Sequence, residues 1–238
     1  GGTLIQEKGT FMFIGHYALA FGAKKASPMV SLGTLFLSFQ LLDLIWPLLL
    51  LIGVEHVRID PGNTAFTPLD FYDYPWSHGL LPVAAAAGAF GGLYYLLRKD
   101  GRGAAILGGG VLSHWLLDYI THRPDLPLSP WSATHVGLGL WNSVTWTVMV
   151  EALLFLGGLV LYLTATAARD RTGRIAFWSL VAFLVTIWGL NIVSPPPPSE
   201  TAVAYGSLLL WLLVPWGYLI ERHRVPAAHG LSSPPPSQ

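Results

Sequence analysis

Six ionisable residues stand in, or at the edge of, otherwise apolar stretches: His16, Asp43, His78, His114, Asp118 and Glu151. Burying such groups in hydrocarbon is costly, so by default they mark a function. The densest block runs from Ser113 to His122, where His114, Asp118 and His122 recur at i, i+4 and i+8. On a helix those three share one face. Imidazole and carboxylate one turn apart can hold a single divalent ion, the logic of helical metal sites. The chain has no cysteine, which excludes disulfides, thiolate metal sites and a cysteine nucleophile. Any metal must be held by His, Asp or Glu. Glu151 alone reads as a packing residue bonded to a neighbouring helix. His122 and His135, on a loop, read as solvated histidines as readily as ligands.

The elements that position these residues are membrane helices. Of 238 residues, 53% are hydrophobic and 11% charged, against about 25% charged in a soluble domain. Formal net charge is zero, so no global field recruits nucleic acid or an acidic partner. The expected fold is all-α, a polytopic transmembrane helix bundle. Six stretches reach the roughly 20 apolar residues that a span needs, at about 29–53, 77–97, 103–121, 143–167, 175–193 and 202–220. A seventh, about 11–23, is apolar but short for a span. The chain divides into an N-terminal extension (1–10), a helical membrane domain carrying the candidate ligands (11–145), additional transmembrane helices (146–224) and a Pro/Ser-rich tail (225–238) with the composition of disorder. No internal repeat is visible.

Basic residues set the orientation, because positive loops stay in the cytoplasm. Lys24 and Lys25, then Arg98, Lys99 and Arg102, then Arg169, Arg171 and Arg174, then Arg222 and Arg224 are each separated by two spans. They belong to one face, which puts the C-terminus in the cytoplasm and loops 54–76 and 122–142 outside. Trp76, Trp131 and Trp141 fall near the outer boundaries, where aromatic belts form. At 1.5 Å per residue, Asp118 lies about 5 Å below the outer edge, His114 about 10 Å and Asp43 about 15 Å, with His78 at the rim. The four can converge in the outer half of one bundle. His16 joins them if residues 11–23 run inward as a short helix ending at the lysine pair; a re-entrant hairpin is the alternative.

Met12-Phe13-Ile14-Gly15-His16, Leu42-Asp43, Ser77-His78 and His114-xxx-Asp118 resemble, in that order, the YdjM-like family of inner-membrane proteins described as metal-dependent hydrolases. The resemblance covers roughly residues 12–145 and implies a bacterial inner-membrane location. The order His, Asp, His, His-xxx-Asp is also similar to the ligand order of zinc-dependent phospholipase C and single-strand nucleases. That likeness implies zinc, one or two ions: Asp43, His78, His114 and Asp118 around the first, and His16 around a second, with Asp118 bridging. His122 is then a further ligand. No glutamate lies one turn after His135, where a third site needs it, and no second carboxylate adjoins Asp43.

A bound divalent ion lowers the pKa of water and polarises a phosphoryl or acyl oxygen. The expectation is a membrane-embedded hydrolase of phosphoester or lipid-like substrates, with its site near the external face. Asp70 and Asp73, just before His78, are candidates for a base or for a partner of the ligands. Arg123 is a candidate for steadying a phosphate. Gly108-Gly109-Gly110 reads as helix packing; no phosphate loop and no Gly-x-Ser-x-Gly elbow is present. The rival expectation is a non-catalytic subunit packed in a larger membrane complex, which ten tryptophans and many small residues also suit.

Overall fold

The computed structural model of the protein describes residues 14–227. The N-terminal extension, the Met12-Phe13 pair and residues 228–238 of the tail lie outside the described residues. In chain order come α1 (Ile14–Ala26), α2 (Leu32–Phe39), α3 (Leu41–Leu51), β1 (His56–Ile59), β2 (Leu69–Asp73), α4 (Pro75–His78), α5 (Leu80–Arg98), α6 (Gly101–Thr121), β3 (Leu126–Pro127), β4 (His135–Val136), α7 (Val144–Ala165), β5 (Thr166–Ala168), α8 (Arg171–Val193), α9 (Glu200–Leu208), α10 (Leu213–Arg222) and β6 (Arg224–Pro226). A single 3-10 turn, Leu209–Leu212, joins α9 to α10.

Among the described residues, four helices are long and apolar enough to cross a membrane: α5, α7, α8 and the continuous Glu200–Arg222. The pair α2–α3 makes a fifth if its two halves, bent by 55° at Gln40, are one span. Large apolar side chains on these helices face outward, among them Leu93, Leu96, Leu153, Leu156, Val160, Val185 and Leu190. A surface of that kind belongs against lipid. Two expected spans come out differently. The stretch 29–53 is broken rather than straight. The helix α6 has the length, 21 residues, but its glycines, Arg102, His114 and Asp118 lower its hydropathy, and its polar face turns into the bundle.

The short α1 is a core helix. Its thirteen described residues rise about 20 Å and are mostly buried. Phe21 sits among Phe36, Phe155, Tyr162 and Phe177, with ring centroids 5.2–6.2 Å away. Backbones approach closely where side chains are missing. A Cβ on Gly158 would stand 2.2 Å from the Ala18 carbonyl oxygen, and one on Gly110 2.5 Å from the Phe39 ring. Helix pairs in lipid associate through such small residues. Within the glycine run, Gly108 faces α5 and Gly110 faces α2, while a Cβ on Gly109 would meet nothing.

The two ends of the bundle differ. At one end Lys24 Nζ meets Glu221 Oε1 at 2.6 Å and the carbonyls of Pro28 and Val30. There too β5 pairs antiparallel with β6, and His223 donates to Asp170 at 2.8 Å. That bond, with the Gly173 N–H, holds the Asp170 carboxyl below the usual carboxylate range. Chain direction places the Arg98–Arg102 turn at this end as well, so the basic groups share one face. Residues 225–227, read from composition as the start of a disordered tail, instead form β6 and its continuation, with Ala227 N–H bonded to Ala165 O. Ladder hydrogen bonds override composition there. The other end carries the β1–β2 and β3–β4 pairs.

Candidate metal centre

Four elements deliver the candidate ligands to the strand-bearing end. His16 is on the first turn of α1, Asp43 on the first turn of α3, His78 ends α4, and His114 and Asp118 lie on α6. The bend at Gln40 does two things. It turns Asp43 onto a helix N-terminus, where the dipole favours negative charge. It also presents the Phe39 carbonyl, which accepts from His114 Nδ1 at 2.8 Å. That bond fixes the tautomer and leaves the lone pair of His114 Nε2 facing the carboxylates.

His78 is oriented by a longer relay. Glu55 is 1% exposed; it accepts the N–H groups of Trp76 and Ser77, both at 2.7 Å, and the Ser77 hydroxyl at 2.6 Å. With its proton committed to Glu55, Ser77 Oγ accepts from His78 Nδ1 at 2.7 Å. The Nε2 lone pair of His78 is thereby also directed at the carboxylates.

The resulting cluster is compact. Asp43 Oδ1 lies 3.6 Å from both His78 Nε2 and His114 Nε2. Asp118 Oδ2 lies 3.4 Å from His114 Nε2 and 3.8 Å from His78 Nε2. Its other oxygen, Oδ1, lies 3.4 Å from His16 Nε2. The His16 and His114 rings stack with centroids 3.7 Å apart. Two triads have ligand atoms within 4.8 Å of one another: His16, His114, Asp118, and Asp43, His78, His114.

These residues fit a divalent cation. Charge-assisted N–H···O bonds run about 2.7–2.9 Å, and the separations here are longer. Two ligand atoms each about 2.0–2.1 Å from one tetrahedral ion stand about 3.3 Å apart. His114 Nε2 and Asp118 Oδ2 are buried with no hydrogen-bond partner among the described residues, as is His16 Nδ1. Asp43 and Asp118 pair only with histidines there. Buried carboxylates are ordinarily paired with a cation or bound to a metal.

His122 is brought near but not into either triad. Its Nδ1 donates to Asp125 Oδ1 at 2.9 Å and lies 3.1 Å from the Tyr74 hydroxyl; its ring packs on Trp141 at 4.2 Å. Burial, then the Asp125 carboxylate, raises the Tyr74 phenol well above its usual value, so it remains a donor. Asp70, Asp73 and Arg123 stand apart from the cluster. Asp70 is held between Arg58 and Arg123, the latter at 2.5 Å. Arg123 also bonds Asp125 at 3.0 Å, and Asp73 pairs with His56 at 2.9 Å. His135 is exposed and bonds its own loop. Glu151 is buried and accepts from the Trp188 indole, the packing arrangement that its isolation suggested. Trp141 is buried rather than interfacial, while Trp76 and Trp131 are exposed.

A cavity of about 280 Å³ opens beside the cluster. His16, Asp43, His78 and Asp118 form one wall, with Tyr74, His122, Trp46 and Trp141 around them. The opposite wall is apolar and comes from α8, α9 and α10. Asp70, Asp73 and Arg123 do not line it. Two parts of this site escaped the sequence. Glu55 reads only as one more acid on an outer loop, and the last three helices read only as additional spans. No family model, no curated protein and no solved structure matches this chain.

Proposed function

We propose that this protein is a membrane-embedded, metal-dependent hydrolase of the YdjM-like kind, acting on an amphiphilic phosphoester. The observation that carries the reading is the buried His/Asp cluster, with polar atoms that have no partner among the described residues, set in the wall of a half-polar, half-apolar cavity. Asp43, His78, His114 and Asp118 would hold one ion, and His16 with Asp118 a second. Zinc suits the nitrogen and oxygen donors. When bound, the metal supplies a water of lowered pKa and polarises the phosphoryl oxygen.

The chain's own groups do the rest. Phe39 and the Ser77–Glu55 relay keep the lone pairs of His114 and His78 on the ions. Tyr74 keeps its hydroxyl proton and, with His122, offers hydrogen-bonding groups at the polar end of the cavity. Trp46, Phe71 and Trp141 exclude bulk water, which strengthens every electrostatic contact inside. In the same reading α6 is a sixth span, shielded from lipid on its polar face. The basic end faces the cytoplasm, so the cluster opens towards the outer leaflet of a bacterial inner membrane.

The test is hydrolysis of a water-soluble bis-aryl phosphodiester and of a short-chain phospholipid by the protein in nanodiscs, compared with Asp118→Asn. We expect turnover of at least one substrate and a loss of 100-fold or more in the variant, on the order of 3 kcal/mol of barrier. Equal rates in the two proteins would refute the assignment.

A further inference from the structure

The cavity does not end at the cluster. Its lining continues onto α8 and the Glu200–Arg222 helix, with Ile187, Leu210, Phe183 and Leu209, the last two 40% and 62% exposed. The packing explains the gap. α9 lies against α3 and α8 meets α10, so α8 and α9 diverge towards their shared connection. That connection, Ser194 to Ser199, contains four consecutive prolines, a stiff, extended spacer that holds the two helix ends apart. At the mouth, a Cβ added to Gly206 would meet no atom within 4 Å.

We infer that the gap between α8 and α9 is a lateral portal, through which the hydrocarbon tail of a membrane amphiphile lies while its anionic head reaches the cluster. The inference rests on the metal-site reading for the head and on the cavity's own walls for the tail. Three observations favour a tail over a water-soluble ligand. The wall opposite the ligands is built mainly of Phe, Ile, Leu and Val side chains. The mouth opens among side chains that face lipid. The polar groups lining the cavity gather at the cluster end, save Asn191 and Ser207. A tail in this position leaves hydrocarbon only for hydrocarbon, so it needs no apolar driving force beyond that of the bilayer; the head group supplies the affinity.

The test uses full-length protein in nanodiscs and a hexadecyl phosphonate carrying a photoreactive diazirine at the tail end, with excess unlabelled hexadecyl phosphonate as competitor. The expected result is competed labelling of residues 183–191 and 203–213. Gly206→Trp, whose Cβ has open space and whose ring projects into the gap, should reduce that labelling tenfold or more, and Gly206→Ala should leave it unchanged. Labelling that is not competed, or that falls on the lipid-facing side of α5 at Leu93 and Leu96, overturns the portal. So does equal labelling of wild type and Gly206→Trp. Metal content of the same samples is read separately: wild type without metal but with competed labelling on α8 and α9 would remove the hydrolase and leave the portal standing.

Discussion

Two clusters of acids and histidines sit at the same end of this bundle, and they are built in opposite ways. In the loop cluster, Asp70 and Asp125 meet Arg58, Arg123, His122 and Tyr74, with bonds of 2.5 Å from Arg123 to Asp70, 2.9 Å from His122 to Asp125 and 3.0 Å from Arg123 to Asp125. Each carboxylate has a permanent cation beside it. In the buried cluster, two carboxylates face three imidazoles at 3.4–3.8 Å, and His114 Nε2 and Asp118 Oδ2 have no partner among the described residues. A self-neutralised network is complete as it stands and holds loops together. A cluster in which His78 and His114 are oriented from behind, yet whose polar atoms are spaced too widely to bond one another, is shaped for something between them.

That contrast can be broken most severely at Asp118, whose two oxygens face all three imidazoles, His16, His78 and His114. Asp118→Asn should lower metal affinity by a factor of 1,000 or more, read by competition with a metallochromic chelator. Added metal should also stabilise the wild type, by about 2.7 kcal/mol at a free concentration one hundred times the dissociation constant, and should stabilise the variant far less. Next in size is Glu55→Gln, which loosens the Ser77–His78 relay without touching a ligand. A partner of a ligand is worth 10–100-fold in metal affinity, and Glu55→Gln should fall in that range; an unchanged affinity would make the relay structural only.

The loop cluster should respond differently. Asp70→Asn leaves two guanidinium groups short of a partner and should cost about 1–3 kcal/mol of stability, at the low end because both arginines reach solvent. Its bound metal should be unchanged, as seen by melting and elemental analysis of one sample. The smallest effect on metal is expected for His122→Ala, which removes a ring that packs on Trp141 and bonds Asp125. Loss of an ion in that variant would make His122 a ligand and redraw the boundary between the clusters.

The cluster residues were legible because polar side chains in apolar stretches stand out, and because α-helical spacing puts His114 and Asp118 on one face. Depth counted from span ends put Asp43 and His78 in the outer half of the bundle, and His16 there too if residues 11–23 ran inward. The bend at Gln40 was not legible: both halves of 29–53 are apolar, and hydropathy carries no angle. Glu55 and Ser77 were hidden for a related reason. Their value lies in hydrogen bonds set by the turn into α4, and a loop has no fixed repeat from which to read register. The same lack of register left Asp70, Asp73 and Arg123 looking like site residues, when short contacts to Arg58, His56 and Asp125 tie them to the loops. The apolar wall from α8 to α10 was hidden because a side chain that lines a cavity and one that faces lipid are the same residue type.

The most direct test is metal content per chain, measured by elemental analysis of the purified protein beside a His114→Ala, Asp118→Ala double variant, with both shown to be folded. One or two equivalents of zinc or another divalent metal in the wild type, and none in the variant, is the predicted result. No metal in either, after reconstitution with excess divalent ion, would contradict the account and leave the buried cluster without a purpose in catalysis.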